Sequence, residues 1–448
     1  MVTLIEALQS QVGLAILGFS MVGVFTALIL SRRASVLTAL ILVPVVFGLL
    51  GGFGADLGRM SIEGVRQIAP TVVMISFAVL YFSLMLDAGL FEPLVDAIVG
   101  LTGEDPVRIG VGTAILGLIV AFSGDGISTG LIMIAAFLPL YRRVGMSAGV
   151  LGCIVFISVA VQNLSPWGGP VPRAATALGT DPAQIYLSML PVVAVGGLAL
   201  IATAWWLGRR ERLRLATGGP AFADLPVVEG EVSGFVRDPE ARRPGRFWIN
   251  LALTIALLTA LMSGVAPPVI LFAIAAAMAL LINYPSLAEQ RARLESHADN
   301  LASFILLFFA AGIFTGILSG TGMIEAMAAV AVDALPDNVG RALAPITALL
   351  SMPLTYFMPN DAFFFGALPV IAETSAAFGL TAHQIAAASV LGQPVHVFSP
   401  LLPSLYVFCS LLGIDVGRFL RFSVPWAIAV SLCMIVAALT FGVIPVLA

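Results

Sequence analysis

Long apolar runs, separated by short polar stretches, make up most of this chain. A helix needs about 20 apolar residues to cross roughly 30 Å of membrane hydrocarbon. By that measure we expect eight uninterrupted membrane-spanning helices. Their ranges are 12–30, 36–52, 69–88, 184–207, 248–263, 267–284, 302–319 and 416–446.

Four further apolar regions, 106–142, 146–178, 339–377 and 381–412, are interrupted near their middle by glycine, proline and polar residues. Each arm of 106–142 has about 15 residues, or roughly 22 Å as a helix, which is too short to cross. We therefore expect 106–142 and 339–377 to be re-entrant hairpins, and the other two to be broken helices. Segment 208–246 is rich in Arg, Glu, Gly and Pro and is predicted to be a hydrophilic linker.

The composition of the whole chain indicates an integral membrane protein. Sixty per cent of the 448 residues are apolar and only 10% are charged, whereas soluble domains have nearer a quarter charged residues. The polar surface is too small to coat a water-facing globule. A net charge of −4 offers no basic surface for nucleic acid, so that class of function is excluded.

The arginines predict the orientation in the inner membrane. All 21 basic residues are arginine. If the chain starts outside and both hairpins are re-entrant, 17 of them face the cytoplasm, Arg173 is embedded, and only Arg59, Arg66 and Arg341 lie outside. This bias fits the positive-inside rule. It predicts both termini outside and the linker 208–246 in the cytoplasm.

The two halves of the chain resemble each other. Ser165-Pro166 and Ser399-Pro400 are 234 residues apart, as are Asp181 and Asp415. Because each half crosses the membrane an odd number of times, we predict an all-α membrane protein with two inverted-topology repeats, 1–207 and 247–448. Each repeat has about five spans plus one re-entrant hairpin. In secondary transporters such repeats bring discontinuous helices together at a midplane substrate site.

The hairpin tips are the first two candidate parts of a site. Ser123 and Asp125 lie at the first tip, and Asn360 and Asp361 at the second. A carboxylate within the membrane is costly and is functional by default. The alternative for Asp125 is an N-cap of the second half-helix, a position that favours Asp. The two roles can coexist.

The helix breaks supply the other candidate side chains. In the first break, Asn163 and Ser165 precede Arg173, whose charge costs about 2.5–3.5 kcal/mol at the bilayer centre and needs a partner. Three partners are open: a substrate carboxylate, a structural aspartate, or the outer surface, which the side chain reaches by snorkelling. The candidates that flank the second break are Gln393, His396, Ser399 and Ser404.

The charges of these groups restrict the substrate. Two aspartates and one guanidinium give a net charge of −1 when both acids are ionised. A free polycarboxylate would add several negative charges in a medium of low dielectric, which is untenable unless protons or a metal enter with it. A divalent metal chelated by a tricarboxylate carries only about one net negative charge. A cation is therefore expected to travel with the substrate.

Three motifs resemble those of one transporter family. Asn-Leu-Ser-Pro-Trp-Gly-Gly-Pro-Val-Pro-Arg-Ala-Ala-Thr at 163–176, Asn-Asp-Ala-Phe-Phe-Phe-Gly-Ala-Leu-Pro-Val at 360–370 and Gly-Gln-Pro-Val-His at 392–396 are similar to signatures of the citrate–divalent metal:proton symporter (CitMHS) family. The resemblance implies the ion transporter superfamily fold, a homodimer and an elevator mechanism. It also implies import of citrate complexed with Mg²⁺ or Ca²⁺, coupled to protons. The metal is then part of the substrate, and no resident cofactor is expected.

The resemblance also implies which residues act. The matching motifs imply substrate binding by Asn163, Ser165, Gly168, Gly169, Arg173, Asn360, Gln393 and Ser399. Ser123, at the first tip, and Ser404, beside the second break, are added as substrate-binding candidates because of where they lie. Asp125, Asp361 and His396 are expected to couple protons or metal, and the two aspartates to meet the metal of the substrate. Divalent anion:sodium symporters of the same superfamily carry Ser-Asn-Thr at both tips. Ser-Gly-Asp and Pro-Asn-Asp stand there in this chain, which disfavours sodium coupling.

Other functions remain open at this point. Within carriers, they are transport of a free di- or tricarboxylate or another organic anion, and cation/proton antiport. An enzyme is disfavoured, because Gly126-Ile-Ser-Thr-Gly130 fits the Gly-x-Ser-x-Gly pattern but follows a predicted helical arm, whereas a nucleophile elbow follows a strand. A channel is disfavoured by the inverted hairpins.

Overall fold

The computed structural model describes residues 8–217 and 239–448, and the regular secondary structure of these residues is helical. Seven of the described helices are long and apolar enough to cross a membrane. One of them is Gly126–Val144, the second arm of the first predicted hairpin, so the expectation that this arm is too short to cross was wrong. Local sequence sets where helices begin. Proline occupies the first turn of the helices that start at Pro106 and Pro182, and the preceding Asp105 and Asp181 accept hydrogen bonds from backbone amides of that turn.

The described N-terminal half contains nine helices. They are α1 Gln11–Leu30, α2 Val36–Leu50, α3 Leu57–Asp87, α4 Glu92–Thr102, α5 Pro106–Ala121, α6 Gly126–Val144, α7 Ala148–Gln162, α8 Pro170–Leu178 and α9 Pro182–Ala216. Both predicted interruptions are present, at 122–125 between α5 and α6 and at 163–169 between α7 and α8. At the first, Gly124 has a φ of +80°, a conformation that favours glycine.

The C-terminal half begins with two 3₁₀ turns, Pro239–Ala241 and Pro244–Arg246. The helices that follow are α10 Phe247–Ser263, α11 Pro268–Asn283, α12 Leu287–Gly320, α13 Met323–Ala334, α14 Asp337–Arg341, α15 Leu343–Phe357, α16 Leu368–Ala376, α17 Ala382–Ser389, α18 Gln393–His396, α19 Pro403–Leu412 and α20 Val416–Thr440. A π-helical turn, Ala362–Ala367, precedes α16. The predicted break in 381–412 lies on both sides of α18.

Three helices extend beyond the predicted spans. Helix α3 begins at Leu57, α12 begins at Leu287, and α9 continues to Ala216. An apolar run marks only the part of a helix that would lie in hydrocarbon. Polar turns can continue the same helix into water. The first nine residues of the predicted linker are therefore helical, and its residues 218–238 lie outside the described part of the chain.

Helices α3 and α12 cross at very short distance. A Cβ atom added to Gly64 would lie 2.0 Å from the Gly312 carbonyl oxygen, and one added to Gly316 would lie 2.4 Å from the Met60 carbonyl oxygen. Small residues allow such backbone contact between helices in membranes. Helix α2 packs on α12 and α11 packs on α3, so the crossing is the centre of one group of helices.

A second group of helices carries the four interruptions. Residues of α5–α9 and α15–α20 share the largest hydrophobic core. Across this group, α8 packs against the π-helical turn, α16 and α17, while α19 packs against α6 and α7. Helix α8 also contacts α3 and α12. The short helix after each break therefore packs against the interrupted region of the other half.

Candidate functional site

A buried ion pair joins the first helix break to the second tip. Arg173 on α8 donates from Nε to Asp361 Oδ1 at 2.7 Å, and the two side chains are only 14% and 15% exposed. Arg173 Nη1 also donates to the Gly169 carbonyl oxygen at 2.8 Å, and the guanidinium carbon lies 5.8 Å from the centre of the Phe308 ring. Of the three partners predicted for Arg173, the structure contains the aspartate. The structure does not show snorkelling to the surface, because the guanidinium is held by Asp361 and by the Gly169 carbonyl oxygen.

The backbone of the first break folds around Asn163. The Gly169 amide donates to Asn163 Oδ1 at 2.9 Å. A Cβ atom at Gly168 would lie 2.0 Å from the Asn163 carbonyl oxygen, so only glycine fits there. Ser165 is fully buried, and its Oγ has no hydrogen-bond partner among the described residues. Gly169 thus links Asn163 to Arg173 of the ion pair, and Ser165 of the same break has an unused hydroxyl.

Asp125 acts as a helix cap in this structure. Its Oδ1 accepts from the Ile127 amide at 3.0 Å and the Ser128 amide at 3.1 Å, and its Oδ2 accepts from the Ser128 hydroxyl. Ser123 is buried, and its Oγ accepts from the Asp125 amide at 3.4 Å. The N-cap alternative is thus observed at the first tip. No hydrogen bond or ion pair joins Asp125 to Arg173 or Asp361 in the described residues.

An amide pair joins the second tip to the second break. Asn360 Nδ2 donates to Gln393 Oε1 at 3.2 Å, and Gln393 Nε2 donates to Asn360 Oδ1 at 3.2 Å. Gln393 is buried. Because Asn360 and Asp361 are adjacent, the amide pair and the ion pair hold one tip from two sides. Four of the predicted residues are therefore brought together here.

Backbone carbonyls at the end of α15 hold the rest of the second break. His396 Nδ1 lies 2.6 Å from the Thr355 carbonyl oxygen, and Ser399 Oγ donates to the Tyr356 carbonyl oxygen at 2.6 Å. A carbonyl oxygen only accepts, so Nδ1 carries the hydrogen, and Nε2 of the neutral ring is a hydrogen-bond acceptor. Ser404 lies half-buried in the first turn of α19, and no hydrogen bond connects it to the ion pair.

Sequence reasoning missed one residue at the first tip. Trp167 Nε1 donates to the Phe122 carbonyl oxygen at 2.8 Å, and the indole stacks on Phe82 at 5.1 Å between ring centres. A Cβ atom at Gly124 would lie 2.9 Å from the indole. Trp167 therefore fixes the first tip against the first break. Its place inside the Ser-Pro-Trp-Gly-Gly motif was the available signal.

The two histidines outside the breaks lie in helices and have long-range partners. His297 lies in α12 with Nε2 2.8 Å from Asp87 Oδ2, and His383 lies in α17 with Nε2 2.9 Å from Ser188 Oγ. Both partners are about 200 residues away in sequence. Pairing over that distance leaves no local pattern in the sequence.

The arrangement can bind an anion and take up a cation. Arg173 offers a guanidinium, whose planar fork suits a carboxylate. Asp125 and Asp361 offer at most four oxygen atoms to a metal, and hard cations such as Ca²⁺ take six to eight. Within 8–217 and 239–448, no cluster of three or more His, Cys, Asp and Glu side chains could hold a metal ion.

Known proteins are similar over almost the whole chain. Residues 25–392 match the model of the CitMHS family, described as citrate transporter. A Bacillus subtilis (strain 168) protein named citrate transporter is 46% identical over 96% of this chain and 99% of its own length. Another from the same strain, named Mg(2+)/citrate complex secondary transporter, is 44% identical over 97% and 99%. These matches confirm the predicted family and a transporter rather than an enzyme.

Two solved structures share the fold. The YdaH transporter of Alcanivorax borkumensis superposes with a TM-score of 0.58 over 96% of this chain and 100% of its own, at 16% identity. MtrF of Neisseria gonorrhoeae gives 0.60 over 87% and 84%, at 14% identity. These matches confirm the predicted all-helical, multi-span membrane fold, which is like that of these two transporters.

Proposed function

This chain belongs to the CitMHS family of citrate transporters, and from this we propose that it imports citrate as a complex with a divalent metal, Mg²⁺ or Ca²⁺, together with protons. The relative named for the Mg(2+)/citrate complex is 44% identical over nearly the full length, which supports the metal complex as substrate. The charge of the ion pair supports it independently, because the pair of Arg173 and Asp361 has no net charge. A metal–citrate complex brings about one net negative charge to it, whereas free citrate brings several.

The ion pair between Arg173 and Asp361 carries the proposal. In this structure the guanidinium is engaged by Asp361 at 2.7 Å, so a citrate carboxylate has to compete with that aspartate. A proton on Asp361, or the metal of the substrate bound to it, removes the competing charge and releases Arg173 for the carboxylate. Citrate then binds only with its cation, which is the condition for coupled transport.

The neighbouring predicted residues complete the binding site in this proposal. We place the residues of the first break, Asn163, Ser165, Gly168 and Gly169, on one side of Arg173, because Gly169 contacts both Arg173 and Asn163. Ser165 Oγ is a donor without a partner among the described residues. On the other side, Asn360 and Gln393 supply amide groups. We assign the remaining predicted residues, Ser123, Ser399 and Ser404, to the outer parts of the site.

Three groups are candidates for the proton and the metal. Asp361 and Asp125 supply carboxylate oxygens, and the carboxylates and hydroxyl of citrate, with water, supply the remaining ligands that a hard cation needs. His396 is a proton acceptor through Nε2, because Nδ1 is held by the Thr355 carbonyl oxygen. The metal enters and leaves with citrate, so it is substrate and not a resident cofactor.

We further propose two inverted repeats, 1–207 and 247–448, in an elevator-type homodimer, in which the core that carries the hairpins of both repeats shifts as a rigid body against a dimer scaffold. Corresponding helices support this: α7 begins at Ala148 and α17 at Ala382, 234 residues later, and α9 and α20 begin at Pro182 and Val416, again 234 residues apart. Asp181 and Asp415 are the N-cap residues of α9 and α20, and each side chain accepts a hydrogen bond from a backbone amide of the first turn. The two re-entrant hairpins, termini outside and a cytoplasmic 208–246 follow from the arginine distribution.

Uptake of labelled citrate into proteoliposomes tests the site. We expect no uptake by Arg173→Ala or Asp361→Ala, with both proteins still folded in detergent. The double variant Arg173→Ala/Asp361→Ala leaves no unpaired charge and serves as the folding control. Transport at the wild-type rate by either single variant would remove this pair from the substrate site. Uptake in the presence of a metal chelator would favour the alternative, a transporter of the free carboxylate.

A further inference from the structure

We propose that the end of α9 binds the headgroup of an anionic phospholipid. The site is a shallow cavity of about 320 Å³ lined by Trp205, Trp206, Arg209, Arg210 and Leu213, and we call it the Trp–Arg notch. It lies on α9 outside the citrate site and does not depend on the function proposed above.

The notch lies where α9 changes from apolar to charged. Residues 184–207 are apolar, and Arg209, Arg210, Arg212 and Arg214 follow within the same helix. Tryptophan is enriched at the boundary between hydrocarbon and headgroups, because its ring is apolar and its N–H is polar. Trp205 and Trp206 are 45% and 44% exposed. The arginines that follow them therefore lie at headgroup level.

The four arginines at this end of α9 differ in their partners. Arg212 Nη2 lies 2.6 Å from Asp105 Oδ2, and Arg214 Nη2 lies 2.8 Å from Glu211 Oε2. In contrast, Arg209 and Arg210 are exposed and form no ion pair with any described acidic residue. The notch thus holds two positive charges that the described protein does not neutralise.

Aromatic rings hold these two charges in place. The guanidinium carbon of Arg209 lies 4.9 Å from the centre of the Trp205 ring, and that of Arg210 lies 5.7 Å from the centre of the Trp206 ring. Trp206 is itself packed 4.8 Å from Trp426 of α20. Guanidinium groups placed over rings keep their N–H donors at the edge free, in a planar fork that matches phosphate oxygens.

The surroundings of the notch favour a lipid over a free anion. Its floor is made of indole rings, and Leu213, at its outer end, is 64% exposed. A phospholipid places its phosphate at the level of the arginines and its acyl chains along the apolar part of α9, which free phosphate cannot do. Two unpaired positive charges favour a headgroup with net negative charge, such as phosphatidylglycerol, over a zwitterionic one.

Native mass spectrometry of the full-length protein in detergent tests this proposal. Phosphatidylglycerol is titrated against phosphatidylcholine with the same acyl chains, and inorganic phosphate is added in a third arm. We expect preferential binding of phosphatidylglycerol, about 30-fold weaker binding in Arg209→Gln/Arg210→Gln, and no displacement by millimolar phosphate. The matched control is Arg32→Gln/Arg33→Gln, an exposed arginine pair that follows α1 and lies over no aromatic ring within the described residues.

Any of three results would overturn the proposal. Equal loss in both double variants would show a diffuse effect of charge, and equal binding of the two lipids would show no headgroup selection. Displacement by phosphate would show an anion site that does not require a lipid. The variant Arg209→Lys/Arg210→Lys keeps the charge and loses the planar fork, so it should bind with intermediate affinity. It gives the same test if the glutamine variant fails to fold.

Discussion

Arg173 Nε and Asp361 Oδ1 are 2.7 Å apart and join residues that are 188 positions apart in sequence. Arg173 belongs to α8, after the break of the first half, and Asp361 belongs to the tip of the second half. A movement that separates the two interrupted regions must break this bond. The pair therefore fastens the interrupted regions of the two halves to each other.

The pair is predicted to show strong coupling in stability. Removing one partner leaves the other mostly buried and uncompensated, and such a loss costs up to about 3–5 kcal/mol in a fully buried pair. We expect Arg173→Ala and Asp361→Ala each to lower the melting temperature in detergent, and the double variant to melt above both. Losses that simply add in the double variant would show that the two side chains do not stabilise each other.

At Asp125, capping and coupling can be separated by substitution. Serine is as good an N-cap as aspartate, so Asp125→Ser should keep the start of α6 and the melting temperature while it removes the carboxylate. We expect it to fold and to lose citrate uptake. The matched control is Asp181→Ser, which changes an aspartate cap of the same kind at the start of α9 and should transport normally. Wild-type uptake by Asp125→Ser would reduce Asp125 to a structural cap.

The amide pair at the second tip is expected to contribute to citrate affinity. Asn360→Ala leaves the buried Gln393 without its partner, which costs about 1–3 kcal/mol, and it should raise the KM for citrate uptake. A second reciprocal amide pair, Asn250 with Asn283 at 2.8 and 2.9 Å, is a control away from the site. Asn283→Ala should lower stability by a similar amount and leave KM unchanged. A rise in KM in both variants would assign the effect to stability alone.

Gly168 is predicted to tolerate no side chain. The added Cβ of Gly168→Ala would lie 2.0 Å from the Asn163 carbonyl oxygen, so the first break has to open and Gly169 must leave Asn163. We expect loss of uptake and a lower melting temperature. Gly58→Ala is the control, because a Cβ atom on this helical glycine meets nothing within 4 Å. Wild-type uptake by Gly168→Ala would contradict the geometry of this break.

Local features of this fold were predictable from sequence and long-range pairings were not. The breaks near Gly124, Gly168 and Pro359 coincide with residues that interrupt helices, so their positions could be inferred. The choice of Asp361 over Asp125 as partner of Arg173 depends on how α8 packs against the π-helical turn, and no local pattern encodes it. The net charge predicted for the site assumed that Asp125, Asp361 and Arg173 meet. The carboxylate of Asp125 instead accepts hydrogen bonds from the first turn of α6.

The most direct test is uptake of labelled citrate into wild-type proteoliposomes under an inward proton gradient, with Mg²⁺, with Ca²⁺ and with a chelator in place of metal. We predict uptake that saturates, requires one of the divalent metals and collapses when a protonophore removes the gradient. Equal uptake in the chelator would contradict the metal–citrate complex as substrate. Accumulation that persists with the protonophore would contradict proton coupling.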